Sequence, residues 1–329
     1  MPKAERVKKE DLTETVLVAP NLFLGVDGGG TKTLAILTDA NLNVLGEGKT
    51  GVSNPLRVGV ETAVDNIVTA IDRACDSADK LRSEIAAAEI GLAGVRRADI
   101  RSRMRDRLIS RLRIKKLEVY TDAEIALYGA TDGKAGLVVI AGTGSICCGR
   151  NSQGEFASAG GWGPLAGDEG GGAGIARRAL QAVAKASDGR AAKTVLSDLA
   201  CDYFRASSPE DIAMAIYAPT MTNDRIAGFA RSVIQAAGLG DKVALRLIDE
   251  AGCELGLAAN AVIKKLNLAE QRFQIAYVGG IFAAKELIFD PLLRKVHELA
   301  PQAYLAPPLI APAVAAAKMA IAKFSSAKK

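Results

Sequence analysis

The residues with the clearest potential for chemistry form the segment D-G-G-G-T-K-T, which lies between two apolar runs. Three successive glycines make a turn whose backbone N–H groups are uncovered, and such a turn can wrap a phosphate by backbone hydrogen bonds. The two threonines add hydroxyl groups, and the lysine adds a positive charge. The segment predicts a phosphate-binding turn formed by Asp27, Gly28, Gly29, Gly30, Thr31, Lys32 and Thr33.

Asp27 stands where the first apolar strand is predicted to end. A carboxylate beside a phosphate would repel it unless a divalent cation lies between the two groups. We therefore interpret Asp27 as a cation-binding residue. A glycine-rich hairpin that merely begins with an aspartate stays open as an alternative. The segment is not a Walker P-loop, because no G-K-[ST] opens a helix, nor a Rossmann fingerprint, because the glycines lead into a strand.

A second glycine turn repeats the arrangement in the middle of the chain. In I-A-G-T-G-S, residues 140–145, an apolar strand is followed by a Gly-Thr-Gly-Ser turn and then by another strand. One such turn is weak evidence, but two turns in a duplicated fold could bind one polyphosphate from opposite sides of a cleft. The residues of this second predicted turn are Gly142, Thr143, Gly144 and Ser145.

Asp122 ends another predicted strand, in the segment V-Y-T-D-A-E. A carboxylate there is well placed to be a general base, since phosphoryl transfer to a sugar hydroxyl benefits from a nearby proton acceptor. The alternative is a helix N-cap formed by Thr121 or Asp122. The single histidine, His297, is predicted late in a helix, so acid–base chemistry is expected to fall to carboxylates.

A third glycine cluster, G-G-W-G-P-L-A-G-D-E-G-G-G, covers residues 160–172. Trp162 is the only tryptophan of the chain, and a position among glycines is unusual for core packing. Asp168 and Glu169 could accept hydrogen bonds from the hydroxyl groups of a sugar. Asp168 could instead cap the helix that is predicted to follow it.

The order of the apolar segments predicts two similar α/β domains. Apolar runs at 22–27, 33–38 and 43–48 are typical of an antiparallel meander, and apolar residues at helical spacing follow over 56–79. The second half repeats this plan from residue 136 onward. We expect a cleft between the domains, which is a favoured position for a small-molecule site. The other predicted strands lie at 87–94, 116–122 and 273–282, with a strand, a glycine turn and a second strand at 136–150 and a third strand at 154–162. The other predicted helices lie at 99–113, 168–187 and 312–324, and a largely helical stretch continues from 187 to about 267.

The composition is that of a globular protein, with 329 residues of which 49% are hydrophobic and 24% are charged. The net charge of +5 comes partly from the two termini, and the basic segment 96–113 is interpreted as a solvated helix face, so no nucleic-acid partner is expected. There is no apolar run of 18 residues and no signal-peptide pattern, so no membrane partner is expected either. The five cysteines show no C-x-x-C or zinc spacing, which is typical of free thiols in the cytoplasm.

Taken together, five segments resemble a known family. They are, in chain order, G-V-D-G-G-G-T-K-T, Y-T-D-A-E-I-A, I-A-G-T-G-S, G-G-W-G-P-L-A-G-D-E-G-G-G and Y-V-G-G-I-F. This combination resembles the N-acetylglucosamine kinase branch of the BadF/BadG/BcrA/BcrD ATPase family, within the actin, Hsp70 and sugar-kinase superfamily. The resemblance covers about 22–326. It implies two α/β domains of the actin-like ATPase (ribonuclease H-like) fold with a central cleft, and ATP-dependent phosphorylation of an amino sugar or hexose.

The resemblance also implies how the chain is divided. Residues 21–122 would form the N-terminal domain and 123–310 the C-terminal domain, whereas residues 1–20 are expected to form a flexible arm because they are charged and aperiodic. The last helix, 311–326, would return to pack on the N-terminal domain. A cytoplasmic homodimer is expected.

The roles that the resemblance implies are these. Asp27 would hold Mg²⁺ through water, and the turns 28–33 and 142–145 would contact the phosphates of ATP. Asp122 would be the general base. Gly279 and Gly280 would lie against the adenosine, where a side chain would clash. The residues implied to contact the sugar are Asn54, Asp122, Gly161, Trp162, Asp168 and Glu169.

One position departs from the family pattern. Animal N-acetylglucosamine kinases carry an asparagine directly after G-T-G-S, where it contacts the sugar, whereas this chain has Ile146. One hydrogen bond to the sugar is then missing or replaced. The identity of the sugar therefore stays open among N-acetylglucosamine, glucosamine, N-acetylmuramate and simple hexoses.

Two other functions are considered. One branch of the same family activates 2-hydroxyacyl-CoA dehydratases or benzoyl-CoA reductases through an iron–sulfur cluster shared across a dimer. Such a protein needs cysteines at the dimer interface, whereas Cys147 and Cys148 are predicted inside a strand. A sugar-sensing repressor would carry a DNA-binding helix-turn-helix before the first strand, and the twenty residues there are too few for one. We therefore favour the kinase.

Overall fold

The structure is a computed structural model, and it describes residues 21–326. The arm predicted at 1–20 lies outside the described residues. Within that range, none of the helices is long and apolar enough to cross a membrane.

The first half of the chain forms one mixed sheet and the helices that follow its strands. The strands are β1 (Leu22–Gly28), β2 (Thr33–Thr38), β3 (Val44–Thr50), β4 (Ile85–Leu92) and β5 (Leu117–Thr121). The helices are α1 (Pro55–Val58), α2 (Val60–Ser77), α3 (Ala98–Leu112) and α4 (Asp122–Thr131).

The second half begins with three strands, continues with a helical region and closes with two more strands and a helix. The strands are β6 (Gly136–Ala141), β7 (Ser145–Arg150), β8 (Phe156–Gly160), β9 (Gln274–Val278) and β10 (Tyr304–Ala306). The helices are α5 (Gly172–Ser187), α6 (Leu196–Phe204), α7 (Ile212–Ile216), α8 (Asn223–Gly228), α9 (Ala230–Gly238), α10 (Lys242–Leu266), α11 (Glu286–His297) and α12 (Pro312–Ser326).

The two sheets have the same topology. The first has the order β3-β2-β1-β4-β5, and the second has the order β8-β7-β6-β9-β10. In each, three strands form an antiparallel meander and the two following strands add in parallel on the other side of the first strand. This confirms the predicted pair of similar α/β units.

The helices cover the sheets in layers. α2 and α3 cover one face of the first sheet, and α12 covers the other. α4 covers one face of the second sheet, and α5 and α10 cover the other. α4 and α12 pack on each other between the sheets, with Ile125 of α4 buried against Ala315 and Ala316. Burial of these apolar faces is the main favourable free energy of folding.

α12 approaches the first sheet closely because of one glycine. A Cβ atom at Gly25 of β1 would lie 2.0 Å from the carbonyl oxygen of Ala313 and 2.3 Å from the amide nitrogen of Ala317. Only glycine leaves room for the helix backbone at this position. The edge-to-face contact of Phe23 with Phe324, at 5.5 Å between ring centroids, fixes the end of the same helix.

Most predicted elements agree with the structure, with three differences. The helix predicted over 56–79 is broken at Gly59, whose φ of 79° separates α1 from α2. The helix predicted to start at 168 begins instead at Gly172. The short strand β10 was not predicted, because three residues are too few to show an alternating pattern. Cys147 and Cys148 lie inside β7, as predicted, and face opposite sides of the sheet, Cys147 toward α5 and α10 and Cys148 toward α4.

Candidate active site

The first glycine turn connects β1 to β2. Its backbone closes on itself where the amide of Gly29 donates to the carbonyl oxygen of Lys32 at 2.9 Å. Within residues 21–326, the amides of Gly30 and Thr31 donate to no protein acceptor. Such free and adjacent N–H groups can bind an anion.

The chain after β3 holds the first turn in place. The amide of Ser53 donates to the carbonyl oxygen of Gly29 at 3.2 Å. The buried hydroxyl of Thr33 donates to the carbonyl oxygen of Gly51 and contacts the Ser53 hydroxyl, each at 2.7 Å. Thr33 is therefore used inside the protein, whereas Thr31 and Lys32 are exposed.

Two carboxylates meet beside this turn. Asp27 is the second-last residue of β1, and Asp122 follows β5, two strands away in the same sheet. The pKa of Asp27 is raised to about 6, first by burial and then by the negative charge of Asp122, while Lys32 opposes the shift. Burial also raises the pKa of Asp122. The pair thus gathers negative charge with little positive charge to offset it.

Asp122 is not the cap of α4. Thr121 is the N-cap, and its side chain accepts from the amide of Glu124 at 3.1 Å, while the Glu124 carboxylate accepts from the amide of Thr121 at 2.7 Å. The Asp122 carboxylate accepts from the adjacent amide of Ala123, at 2.9 Å. The capping alternative for Asp122 is therefore wrong.

The second glycine turn connects β6 to β7 and resembles the first. The amide of Gly142 donates to the carbonyl oxygen of Gly144 at 2.9 Å, and the amides of Thr143 and Gly144 find no acceptor among the described residues. The first turn of α5 supports it, because the amides of Gly172 and Ala173 donate to the carbonyl oxygens of Gly142 and Thr143, each at 2.8 Å.

Asp168 lies against this second turn. Its Oδ1 accepts from the amide of Ser145 at 3.1 Å, and a Cβ atom at Gly144 would lie 2.5 Å from its Oδ2. Asp168 is only 6% exposed, and burial raises its pKa. α5 has Gly171 at its N-cap, so the capping alternative for Asp168 is wrong. Its φ of 60° marks a tight bend, which aspartate tolerates better than most residues.

Gly279 and Gly280 follow β9 beside the second turn. Gly279 has a φ of 120°, and a Cβ atom there would lie 2.2 Å from the carbonyl oxygen of Ala141, so the protein itself requires glycine at this position. A Cβ atom at Gly280 would meet no protein atom within 4 Å. Of the two glycines, Gly280 is thus the one that faces open space.

The residues predicted to contact a sugar come from separate parts of the chain. Asn54 caps α1 by accepting from the amide of Leu56 at 2.9 Å, which leaves its side-chain NH₂ group without a partner among the described residues. Trp162 is 73% exposed, and Glu169 is exposed as well. Gly161 lies against Ile146, whose Cδ1 would be 3.0 Å from a Cβ atom at that glycine.

Two arginines of the first half reach the second half, and the sequence analysis missed both in this role. Arg57 of α1 forms an ion pair with Asp224 of α8, with 2.5 Å between Nη1 and Oδ2. Arg96 donates to the carbonyl oxygen of Gly160 at 3.3 Å and lies 5.6 Å from the centroid of the Trp162 ring. Neither arginine belongs to a recognisable motif, so no signal in the sequence could have identified these contacts.

Comparison with known families shows to which family the chain belongs. The BadF/BadG/BcrA/BcrD ATPase family matches residues 24–320, which is nearly the whole described range. The chain belongs to this family.

Relatives within and near the family share most of its length. The chain is 35% identical to an N-acetylmuramic acid/N-acetylglucosamine kinase of Clostridium acetobutylicum, over 81% of this chain and 87% of that protein. It is 30% identical to an N-acetyl-D-glucosamine kinase of Dictyostelium discoideum, over 92% and 99%. A crystal structure of a Chromobacterium violaceum protein named as an N-acetylglucosamine kinase superposes with a TM-score of 0.76 at 25% identity, over 92% and 99%.

Two cysteines of this family member, Cys147 and Cys148, do not fit an iron–sulfur cluster. Cys147 and Cys148 are completely buried, and burial raises the pKa of both thiols. Among residues 21–326, no group of three or more histidine, cysteine, aspartate or glutamate side chains could hold a metal ion. Cys147 and Cys148 are therefore unsuited to the shared cluster that a reductase activator needs.

Asp27 and the first glycine turn do fit a magnesium ion that arrives with phosphates. Mg²⁺ is usually held by one or two carboxylates together with substrate phosphates and water, rather than by a complete set of protein ligands. Asp27 supplies one such carboxylate, largely buried near the negative charge of Asp122 and next to a turn with free amides.

Proposed function

We propose that this protein is an ATP-dependent kinase that transfers the γ-phosphate to a hydroxyl group of an amino sugar, with N-acetylglucosamine as the first candidate. The observation that carries the proposal is the pair of glycine turns with free amides in two sheets of the same topology, one of them beside two buried carboxylates. The names of the relatives from Clostridium acetobutylicum and Dictyostelium discoideum support the choice of sugar.

In this proposal the two turns bind the phosphates of ATP from opposite sides. The amides of Gly30 and Thr31 serve on one side, and those of Thr143 and Gly144 on the other, as their lack of partners within the described residues supports. The adenosine lies against Gly279 and Gly280, and the open space at Gly280 supports this position. Mg²⁺ at Asp27 would offset the negative charge of the transferring phosphate.

Asp122 is the proposed general base. The acceptor hydroxyl gives its proton to the Asp122 carboxylate as its oxygen forms a bond to the γ-phosphorus, and the bond from phosphorus to the ADP oxygen breaks. A pKa raised by burial makes this carboxylate a better proton acceptor than an ordinary aspartate. Because Thr121 already caps α4, Asp122 is free for this role.

The sugar is proposed to contact Asn54 through its unused NH₂ group, Trp162 through its exposed ring, and Gly161, Asp168 and Glu169 along the loop after β8. Ile146 lies beside Gly161 in this region. An apolar side chain there cannot hydrogen-bond a hydroxyl group, so glucosamine and hexoses are included as possible acceptors.

The proposed division of the chain places 21–122 with 311–326 in one domain, and 123–310 in the other. The layer order supports the boundary at 122, since α4 covers the second sheet and α12 covers the first. We further propose a cytoplasmic homodimer, for which light scattering of the purified protein is the direct test of the oligomeric state.

The experiment that tests the function is an ADP-release assay with ATP, Mg²⁺ and a panel of sugars. The panel contains glucose, glucosamine, N-acetylglucosamine, N-acetylmannosamine and N-acetylmuramate. We expect at least one amino sugar to release ADP well above the rate without sugar. Sugar-independent ATP hydrolysis alone, with no phosphorylated sugar by mass spectrometry, would contradict the proposal.

A further inference from the structure

Arg57 is attached to the first glycine turn by its own half of the molecule. The chain at 51–58 is tied to the turn through Ser53 and Thr33, as described above. Nη1 of Arg57 also donates to the carbonyl oxygen of Gly30 at 3.2 Å. The Arg57 side chain therefore stays beside the turn whether or not the two halves of the molecule approach each other.

The partner of this arginine comes from the other half. Asp224 of α8 accepts two hydrogen bonds from Arg57, from Nη1 to Oδ2 at 2.5 Å and from Nη2 to Oδ1 at 3.1 Å. The Thr143 hydroxyl, in the second glycine turn, donates to the same Oδ1 at 3.1 Å. One carboxylate is thus bound by a guanidinium beside the first turn and by a hydroxyl of the second.

A phosphate would be bound by contacts of the same kind, from a guanidinium and a hydroxyl group. A guanidinium fork binds the oxygens of a carboxylate and of a phosphate in the same two-point manner. The Asp224 carboxylate lies between two turns whose amides, free of partners within residues 21–326, are suited to anions. Its contacting oxygens stand in for two oxygens of a phosphoryl group.

We propose that Arg57 is a phosphate-binding residue for the nucleotide, and that Asp224 is an internal carboxylate that occupies the Arg57 guanidinium until the nucleotide displaces it. The inference rests on the proposed function only for the identity of the anion as a nucleoside triphosphate. It adds to that function a cationic contact and a built-in competitor.

The exposure of the pair suits such an exchange. The side chains of Arg57 and Asp224 are 40% and 38% exposed, and an ion pair of this kind contributes little to stability. The Arg57 guanidinium holds the pKa of Asp224 below its usual range, so the competitor is charged under all physiological conditions. A polyphosphate carries more negative charge than a carboxylate and can displace it from the arginine.

The test measures nucleotide binding in two variants by calorimetric titration with ATP. Arg57→Ala should weaken ATP binding by about tenfold, because a charge-assisted contact to phosphate is lost. Asp224→Asn should strengthen it by several-fold, because the competing charge is removed. Binding of the best sugar and the melting temperature should change in neither variant.

The opposite changes in ATP affinity distinguish the proposal from a purely structural role of the ion pair. If the pair only holds the two halves together, both variants lose the same contact and their ATP affinities change in the same direction, which would overturn the proposal. Unchanged affinity in both variants would overturn it as well. Arg57→Lys should recover part of the lost affinity, since lysine keeps the charge but not the fork.

A matched control breaks a similar pair away from the cleft. Arg294 of α11 pairs with Asp249 of α10 at 2.7 Å, with both side chains about half exposed. Arg294→Ala should leave ATP binding unchanged. A wild-type protein that binds ATP but phosphorylates no sugar defeats the proposed function and leaves this inference standing. If the wild-type protein phosphorylates a sugar but Arg57→Ala binds ATP normally, the proposed function stands and this inference is contradicted.

Discussion

The two halves of this molecule use the same hairpin in the same place, but only in the first half do the strands of the sheet place carboxylates beside it. In each sheet the glycine turn follows the central first strand, one amide closes the turn, and the next two amides have no acceptor within residues 21–326. β6 and the second turn contain no carboxylate, whereas β1 contributes Asp27 and the end of β5 is followed by Asp122.

Asp168, which contacts the second turn, has a different task. Asp168 comes from the loop before α5 and accepts from the Ser145 amide, so it supports the backbone of the turn. Among the described residues, Asp27 and Asp122 have no such structural partner beyond the amide next to Asp122. In the proposed function, a backbone turn for phosphate is therefore duplicated, while the residues assigned to the cation and the proton lie in one half.

The largest effect is expected at Asp122. Asp122→Asn removes the proposed proton acceptor, so kcat should fall by roughly 10²–10⁴ while the affinities for ATP and sugar stay near normal. Steady-state kinetics and calorimetry measure these quantities. Asp99→Asn is the matched control, since Asp99 also lies in the first turn of a helix but is exposed. Near-normal turnover of Asp122→Asn would contradict its role as general base, and the two halves would then not differ in this respect.

Asp27 should show the next largest effect, with a dependence on pH. Asp27→Asn should weaken Mg²⁺-dependent ATP binding by at least about tenfold and leave sugar binding unchanged. In the wild-type protein, kcat/KM for ATP should fall as the pH decreases through about 6, because the protonated carboxyl cannot bind a cation. A flat pH profile down to about pH 5, or full activity in excess chelator, would contradict the assignment.

Alanine substitutions in the two glycine turns should weaken ATP binding to a similar extent. A Cβ atom at Gly29 would have its nearest protein neighbour at 3.6 Å, and one at Gly142 would have none within 4 Å, so alanine fits both positions in the protein alone. Gly29→Ala and Gly142→Ala should each weaken ATP binding by about tenfold, because the methyl group takes the space of the phosphates.

Melting curves serve as the check on folding for this pair, and Gly238→Ala in α9 is the control, since its Cβ atom would also meet nothing within 4 Å. Normal ATP binding in both folded variants would make the turns structural hairpins. A defect in only one of them would mean that the nucleotide uses a single half.

The smallest effect concerns the faces that meet between the sheets. Toward α4, β9 presents Ala276 and Val278, but toward α12, β4 presents Glu89, which is 3% exposed. Burial raises the pKa of Glu89 to about 7, partly opposed by Lys323 at 3.4 Å, and its Oε2 has no hydrogen-bond partner within the described part of the chain. The folded state therefore holds this proton more tightly than the unfolded state does.

The free energy of unfolding should fall as the pH rises from the ordinary value of 4.5 to about 7, by about 3 kcal/mol at most. Glu89→Gln should remove this dependence and raise the melting temperature at about pH 8 by several degrees, with little gain at about pH 5. Equal shifts at both pH values would show that Glu89 is not protonated on folding.

Local patterns in the sequence were enough to predict the repeated plan of this protein. Alternation of apolar residues, glycine clusters and helical spacing predicted the meanders, most helices and both glycine turns, because these features depend on neighbours in the chain. The family motifs likewise lie in continuous segments, so the residue order alone was enough to identify Asp27, Asp122 and the turn at 142–145 as candidates.

The contacts between residues far apart in the chain became visible only in the folded structure. Arg57 and Asp224 are 167 residues apart and belong to short helices without a motif, yet they join the two turns. Asp168 had two local interpretations, and only the position of Ser145 showed that it supports the second turn. Such contacts arise from the packing of whole sheets and helices, and packing leaves no local pattern in a single sequence, since many different residues satisfy the same burial.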